Sequence, residues 1–448
     1  MPVGVSVASP SSVEVRSERV SRFPEILFSA IALLLVAVRI VQDHDNFTQR
    51  PGVDWGISEW MISYAGGFVR RGLGGSFLAA VMHLSGLGFY PILITLTTAA
   101  YLGLCVFLLR ISLRLRGPAI WRFVLLLNPI LIVCAADYGT ISRKDVLFLC
   151  ATLLNVGLSS RFLARPQENS ANASRPVAPL LIASALLALA LALLHEGIFT
   201  FVWFPLNAAI LTYALHRSGR SRRSVALRVL TTLLPAIAAV AASAIWHGDA
   251  RSAEVICRSW RSAVPVTCDW NSDFPVALGA LTWNLRHGLS LSLSYAAWFP
   301  LYPVILMLGG SLEILAVRTL VPAARLEHLV SLLLFPFLAS LPLYLLGVDW
   351  GRWLSLIATC SLFVMLSPSL RPCAYEALPS WVRKALCARL IPMLDRILSW
   401  LQPRLQREAV LLGIALILIP VPPIPDRRMM LLDAPYVLIS FFVHHVVR

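Results

Sequence analysis

The chain has 448 residues, of which 58% are hydrophobic and only 14% are charged. Soluble domains carry roughly 25% charged residues, so this composition excludes an ordinary soluble protein. The net charge of +15 does not indicate a nucleic-acid partner, because the basic residues stand in short clusters between apolar runs and no soluble domain remains to carry such a site.

Apolar runs recur along the whole chain, and each run of about 18 residues can cross a hydrocarbon core roughly 30 Å thick. They predict an all-α polytopic membrane protein with about eleven membrane helices, within a range of about ten to twelve. The predicted spans are 24–41, 88–109, 119–136, 146–163, 178–195, 197–216, 226–246, 297–317, 327–347, 353–370 and 408–424. Segment 425–448 is either an interfacial helix or a twelfth span.

The spans divide the chain into three parts. Residues 1–246 form an N-terminal membrane module with a long first loop at 42–87, residues 247–296 form a second long loop, and residues 297–448 form a C-terminal module. Within the last part, basic and apolar residues alternate by face over 371–407, which predicts a helix lying on the inner leaflet.

Charge asymmetry predicts the orientation in a bacterial inner membrane. Arg16, Arg19 and Arg22 precede the first span and favour a cytoplasmic N-terminus. That span has no small-residue cleavage pattern after it, so it is expected to stay as a signal anchor. Alternating the spans then places most Lys and Arg residues inside and every Asp except Asp395 outside.

The first loop, which we expect on the outer face, is polar and rich in glycine. Asp43, Asp45, Asp54 and Glu59 precede an Arg70–Arg71 pair flanked by glycines. Carboxylates followed by paired cations indicate chemistry on an anionic substrate. The loop is long enough for one or two helices along the membrane surface.

Further acid–base groups fall at the outer ends of later helices. They are Asp137, Arg143, Lys144 and Asp145 in DYGTISRKD, His195 and Glu196 in LLHEGIF, and Asp349 and Arg352 in DWGRW. A local ion pair or a helix cap explains any one of them alone. Ionisable groups at membrane depth are costly, however, so a shared cavity is the better explanation of all of them together.

Cys257 and Cys268 lie in the same outer loop, where an oxidising compartment favours a disulfide between them. The cysteines and histidines form no zinc pattern, and no glycine-rich nucleotide-binding loop is present. We therefore expect neither ATP nor a cytosolic nucleotide sugar as a direct substrate. No cofactor is specified, although the outer carboxylates leave room for a divalent metal.

These residue types suit the transfer of a sugar from a lipid phosphate. Arg and Lys at the membrane boundary can hold a phosphate, and a carboxylate can take the proton of an acceptor hydroxyl. Cations also stabilise the leaving phosphate.

The layout resembles the GT-C superfamily of lipid-linked-sugar glycosyltransferases, through the long acidic first outer loop and the acid–base motifs at outer helix ends. The resemblance implies a polyprenyl-phosphate sugar donor, a glycan, lipid or protein acceptor, and a catalytic acid in the first outer loop. That role falls to Asp54 or Asp45, with Asp43 a weaker candidate, and the second acid is Asp137 or Asp145. Donor phosphate would contact Arg70, Arg71, Arg143 and Lys144, and the remaining substrate contacts would come from His195, Glu196, Asp349 and Arg352.

Two other functions compete with this one, besides a purely structural role. An enzyme like an O-antigen polymerase would join two lipid-linked glycans through similar arginine clusters. A flippase or transporter would need ionisable groups near the middle of spans, whereas Arg39, Arg122, Arg228 and Glu313 fall near predicted span ends. Convergence of the acid–base groups on one outer cavity would favour an enzyme.

Overall fold

A computed structural model describes residues 22–49, 54–128, 141–164, 177–270 and 274–407. All regular structure in these ranges is helical, and seven of the helices are long and apolar enough to cross a membrane. They are α1 (Phe23–Gln49), α4 (Phe89–Arg114), α6 (Asp145–Ala164), α8 (Glu196–Arg217), α9 (Arg222–Ile245), α13 (Ala296–Leu320) and α14 (Leu326–Leu346). The protein is therefore a helical, polytopic membrane protein.

Shorter helices complete the described fold. They are α2 (Trp55–Glu59), α3 (Gly72–Ser85), α5 (Ala119–Leu127), α7 (Ala178–Leu194), α10 (Ala250–Trp260), α11 (Val276–Gly279), α12 (Leu285–Ser294), α15 (Trp350–Met365), α16 (Cys373–Ala377), α17 (Ser380–Ala385) and α18 (Ile391–Arg407). Helices α7 and α15 occupy two predicted spans. The predicted span 119–136 is described only to residue 128, and 408–424, segment 425–448 and Asp137 lie outside the described residues.

The first helix is longer than predicted. We expected it to end at residue 41, where polar residues begin, but α1 continues to Gln49. The reason is that Asp43 is buried and its carboxylate accepts a hydrogen bond from the backbone N–H of Ser142, at 3.1 Å. A polar residue continues a helix readily when its side chain has such a partner. Asp43 thereby ties the end of α1 to the turn that precedes α6.

Helix α15 lies at the centre of the bundle, because all of its residues are buried. Two of its polar side chains contact neighbouring helices: Cys360 contacts Thr152 of α6, and Ser361 donates to the carbonyl of Leu332 in α14. Interhelical hydrogen bonds of this kind hold membrane helices together. These contacts hold α15 against α6 and α14.

Two distant loops pack together at the end of the bundle where α15 begins. Trp260 of α10 donates its indole N–H to the carbonyl of Met61, at 2.7 Å, and Gly66 lies so close to the backbone of Ser252 that any side chain there would collide with it. Cys257 and Cys268 are joined by a disulfide with 5.8 Å between their Cα atoms. The first loop and the 247–296 loop thus form one lobe.

The opposite end carries helices α16–α18. Arg318 near the end of α13 forms an ion pair with Asp395, and Gln402 donates to Thr319 at 3.2 Å. Leu398 is buried, whereas Trp381 and Trp400 are 72% and 54% exposed. Helix α18 is therefore anchored beside the end of α13, and α17 and α18 each present a tryptophan outward.

Candidate functional site

A cavity of about 700 Å³ lies between the lobe and the ends of the membrane helices. Separate parts of the chain contribute its ionisable lining: the first loop, the turn before α6, the turn between α7 and α8, the 247–296 loop, and the start of α15. These lining residues are Arg70, Arg71, Arg143, His195, Glu196, His247, Asp349 and Arg352. The acid–base groups that are far apart in sequence are therefore adjacent in space.

Arg71 links the first loop to the turn before α8. Its Nε lies 3.2 Å from both carboxylate oxygens of Glu196, and its NH1 lies 3.5 Å from Oε1 of Glu59. Arg71 has a φ of 64°, which makes it the single non-glycine residue of the described ranges in the left-handed region. Residues held in this costly conformation concentrate at functional sites, where surrounding contacts maintain them.

His195 ends one helix and starts the next. Its extended backbone terminates α7, and its Nδ1 accepts the backbone N–H of Ile198 at 3.3 Å, which caps α8. Burial, together with the positive charges of Arg71 and Arg352, lowers the pKa of His195 well below its usual value. The imidazole is therefore neutral and carries its proton on Nε2, which lies 3.6 Å from Oε1 of Glu59.

Arg352 joins the starts of two helices. Its Nε lies 3.3 Å from Oδ2 of Asp145, the first residue of α6, and its NH1 lies 3.1 Å from Oδ2 of Asp349. Arg352 and Asp145 are buried, while the side chain of Asp349 is 24% exposed in the cavity wall. Glu196 and Asp349 are thus the carboxylates that face the cavity space.

Arg143 and Lys144 are buried cations with unused donors. Nε and NH1 of Arg143 and Nζ of Lys144 have no hydrogen-bond partner among the described residues. The Lys144 ammonium lies 5.4 Å from the ring centroid of Trp60, and burial lowers its pKa to about 8. Buried cations without partners are expensive, and an anionic ligand would supply the missing partner.

Arg70 contributes a further cation. It lines the cavity and donates to the backbone carbonyl of Ala280, which ties the first loop to the 280–282 turn. Burial and the neighbouring Arg71 lower the pKa of Arg70 from its usual value. We call these ionisable residues the charged cluster: its five cations are Arg70, Arg71, Arg143, Lys144 and Arg352, and its four carboxylates are Glu59, Asp145, Glu196 and Asp349. With neutral His195, the cations of the charged cluster exceed its carboxylates by one.

The two aspartates expected to act as the catalytic base lie elsewhere. Asp54 caps α2: its Oδ1 accepts the backbone N–H of Ile57 and its Oδ2 accepts the side-chain amide of Asn46, both at 2.9 Å. Asp45 lies in the last turns of α1. The carboxylate that the first loop contributes to the cluster is instead Glu59, which is 1% exposed beneath Arg71 and His195.

The sequence did contain a signal for Glu59. It stands in the largely apolar stretch WGISEWMISY, where a carboxylate is buried only if cations or donors compensate it. Asp54 directly precedes a helix start, which is the usual place of a capping aspartate, and in the structure it caps α2.

An apolar groove of about 410 Å³ lies beside the charged cluster, between helices α3, α4, α6 and α7. Trp60 and Gly74 belong to its wall, and both also adjoin Lys144, since a Cβ added at Gly74 would lie 3.2 Å from Nζ. The other lining residues are Leu73, Phe77, Leu96, Leu147, Cys150, Ala151, Leu154, Leu187, Ala190, Leu191 and Leu194. An ammonium group thus lies at the boundary between the apolar groove and the charged cluster.

Within the described residues, no group of three or more His, Cys, Asp or Glu side chains is arranged as a metal site. No protein-family model, curated protein or solved structure matches this chain. Function is therefore inferred from the cavity and its neighbouring groove.

Proposed function

We propose that the protein is a glycosyltransferase that moves a sugar from a polyprenyl-phosphate carrier to a glycan, lipid or protein acceptor in this cavity. The observation that carries the proposal is the position of Arg143 and Lys144 beside a polar cavity and an apolar groove, with buried donors that have no hydrogen-bond partner among the described residues. A lipid-linked sugar phosphate has the matching parts in the matching order: a hydrocarbon chain, an anionic group and a polar sugar.

The anionic part is assigned to the cations. A phosphate between Arg143 and Lys144 would accept hydrogen bonds from the donors that lack partners within the described residues. Such charge-assisted hydrogen bonds are stronger than those between neutral groups. Arg70 and Arg71 extend the positive wall of the same cavity. Their charge also stabilises the leaving phosphate as the bond to the sugar breaks.

The hydrocarbon part is assigned to the apolar groove. Its lining is almost wholly apolar, and Phe77 and Leu154 at its edge are about half exposed, which gives a chain entry from the bilayer. Gly74 keeps the groove open next to the ammonium of Lys144. The groove would therefore hold the first part of the chain with its phosphate at Lys144.

Asp349 is the proposed general base. Glu196 is held by Arg71 through both of its carboxylate oxygens, whereas the ion pair between Arg352 and Asp349 involves only Oδ2 of the aspartate. The acceptor oxygen forms a bond to the anomeric carbon, and its proton passes to Asp349. The bond between that carbon and the carrier phosphate oxygen breaks, and the phosphate leaves with the electron pair.

We place this reaction at the outer face of a bacterial inner membrane, with the N-terminus cytoplasmic and the product entering the cell envelope. The Cys257–Cys268 disulfide lies in the lobe that covers the cavity, and disulfides persist in oxidising compartments. The predicted asymmetry of Lys and Arg supports the same orientation.

Transport is the second candidate, and one residue favours it. Glu313 lies within α13, is fully buried, and has no hydrogen-bond partner for either oxygen among the described residues. Sequence analysis placed it near a span end, but the helix continues to Leu320. A buried acid at membrane depth is a common feature of ion-coupled carriers.

A transfer assay with single variants tests the glycosyltransferase proposal. The purified protein would be incubated with radiolabelled polyprenyl-phosphate sugars and an envelope lipid and glycan extract. We expect transfer by the wild type, and a loss of about 100-fold or more with Asp349→Asn, as for removal of a general base. Glu254→Gln, an exposed carboxylate paired with Arg258 on the same lobe, is the matched control.

Absence of transfer from every donor by a folded wild type would overturn the proposal. Full activity of Asp349→Asn with loss in Glu196→Gln would move the base to Glu196. Unaltered envelope glycan in a deletion strain, combined with ion-dependent lipid-linked sugar movement that Glu313→Gln abolishes, would favour the transporter.

A further inference from the structure

The mouth of the cavity carries two tryptophans from different loops. Trp55 starts α2, and Trp283 lies just before α12; their ring centroids are 5.9 Å apart with the planes inclined at 44°. Both residues line the cavity, and His287 supports Trp283 from a centroid distance of 4.5 Å. We call Trp55 and Trp283 the aromatic rim.

We propose that the aromatic rim is a carbohydrate subsite that binds a sugar ring of the acceptor. This inference rests on the proposed glycosyltransferase function and names the acceptor as a glycan rather than a simple lipid or a peptide. It concerns residues distinct from the charged cluster that is assigned to the donor.

The chemistry of the rim fits a sugar better than an anion or a hydrocarbon chain. One face of a pyranose ring presents C–H groups that pack on the negative face of an aromatic ring, while its hydroxyls need polar partners. Asn284, next to Trp283, also lines the cavity. Its side-chain oxygen caps α12 through the N–H of His287, which leaves its amide N–H groups as donors for a hydroxyl.

The rim is coupled to the charged cluster through the backbone. Trp55 and Glu59 are the first and last residues of α2, so they lie one helical turn apart. On the other side, Arg70 donates to the carbonyl of Ala280, three residues before Trp283. A ring held at the rim would therefore have a fixed position relative to the cations that hold the donor, as transfer between two substrates requires.

Membrane proteins also expose tryptophans at the lipid headgroups, and this alternative makes a different prediction. Trp270 belongs to the same lobe and is 41% exposed, close to the 37% of Trp283, but it packs on Phe274 at 4.0 Å and donates to Glu254. It is no part of the cavity lining. If these tryptophans served only to contact lipid headgroups, replacing Trp270 or Trp283 would have similar effects. If the rim is a sugar subsite, only the replacement of Trp283 would weaken glycan binding.

The first measurement is direct glycan binding, which does not depend on catalysis. Detergent-purified wild type, Trp283→Ala, Trp55→Ala and Trp270→Ala would be applied to an array of immobilised bacterial envelope oligosaccharides. We expect the wild type and Trp270→Ala to bind the same glycans, with binding at least tenfold weaker in both rim variants. Trp283→Phe should restore most of it, because a phenyl face can still pack on a sugar.

Equal binding by Trp283→Ala and the wild type, no glycan binding by the wild type, or equal loss in Trp270→Ala would overturn the subsite. The second measurement is the acceptor KM in the transfer assay, which should rise at least tenfold in Trp283→Ala and stay unchanged in Trp270→Ala. Glycan binding without any transfer would leave the subsite standing and reject the glycosyltransferase proposal. Transfer with an unchanged acceptor KM in Trp283→Ala would support the glycosyltransferase proposal and reject the subsite.

Discussion

Nε2 of His195 lies 3.6 Å from Oε1 of Glu59, and the two side chains are almost completely buried. Since Nδ1 accepts the N–H of Ile198, the proton of the neutral ring faces the carboxylate. Arg71 approaches the same carboxylate oxygen at 3.5 Å. Glu59 is thus stabilised from two sides, and His195 acts as a positioning residue between the first loop and the start of α8.

The two functions of the His195 ring can be separated by substitution. Asn can replace Nδ1 as the cap of α8, whereas Gln can place a donor near Glu59 but loses the cap. We expect His195→Ala to lower the free energy of unfolding by about 1–3 kcal/mol, as for an unsatisfied buried group. Gln should recover more of this loss than Asn, because a buried carboxylate that loses one of its two stabilising neighbours costs more than a lost cap; thermal melting in detergent measures the recovery in both variants. Greater recovery by Asn would contradict this assignment.

Lys144 predicts opposite effects of pH on ligand binding and on stability. Its pKa of about 8 lies below that of a free lysine, so as pH rises the folded protein releases this proton before the unfolded chain does. Affinity for polyprenyl phosphate should fall as pH rises through 8, because the ammonium is lost. The unfolded chain retains that proton up to about pH 10.4, so the stability of the ligand-free protein should increase over the same interval.

Lys144→Met is the control for both effects, since it removes the titrating group and keeps a chain of similar shape. Glu59, Arg71 and Glu196 influence the same ammonium, so binding and melting are measured on the wild type and the variant in parallel. Identical pH profiles for the two proteins would show that Lys144 does not titrate in this range.

The left-handed backbone of Arg71 allows its conformation and its charge to be tested separately. Glycine adopts this conformation without strain, whereas alanine in it costs about 1–2 kcal/mol. We expect Arg71→Gly to melt at a higher temperature than Arg71→Ala, and both variants to lose sugar transfer because both lose the contacts to Glu196 and Glu59. Transfer retained in Arg71→Gly would mean that only the backbone geometry matters at this position.

Sequence reasoning identified most of the ionisable cavity lining for a simple reason. Successive membrane helices reverse direction, so residues at alternate helix ends must lie on the same side, and Arg143, Glu196 and Arg352 are such residues. The role of Asp54 depends instead on one local turn, because its position before α2 makes it a cap. The alternating direction of the helices also does not show which helix ends are neighbours within one side of the membrane. The sequence therefore could not show that the 247–296 loop places Trp283 beside Trp55.

Helices α17 and α18 should bind anionic lipid. Arg404 covers the ring of Trp400 at 3.6 Å. Lys384 of α17 and Arg389, in the helical segment that joins α17 to α18, are exposed, and such a mixture of basic and aromatic side chains is typical of an interfacial helix. We expect a higher melting temperature in nanodiscs of phosphatidylglycerol than of phosphatidylcholine. Combined Lys384→Glu and Arg389→Glu should remove this difference, whereas Arg286→Glu on α12 should preserve it. An equal lipid response in both variants would contradict the assignment.

A buried ion pair joins α1, α4 and α5. Oε1 of Glu25 accepts hydrogen bonds from Arg122 at 3.1 Å and from the hydroxyl of Ser112 at 2.6 Å, and all three side chains are buried. Removing one member of such a pair costs about 3–5 kcal/mol, because the other charge stays buried, while replacing both by apolar residues is often neutral. Melting of Glu25→Leu, Arg122→Leu and the double variant should therefore show two unstable single variants and a double variant close to the wild type. Additive losses in the double variant would show that Glu25 and Arg122 act independently of each other.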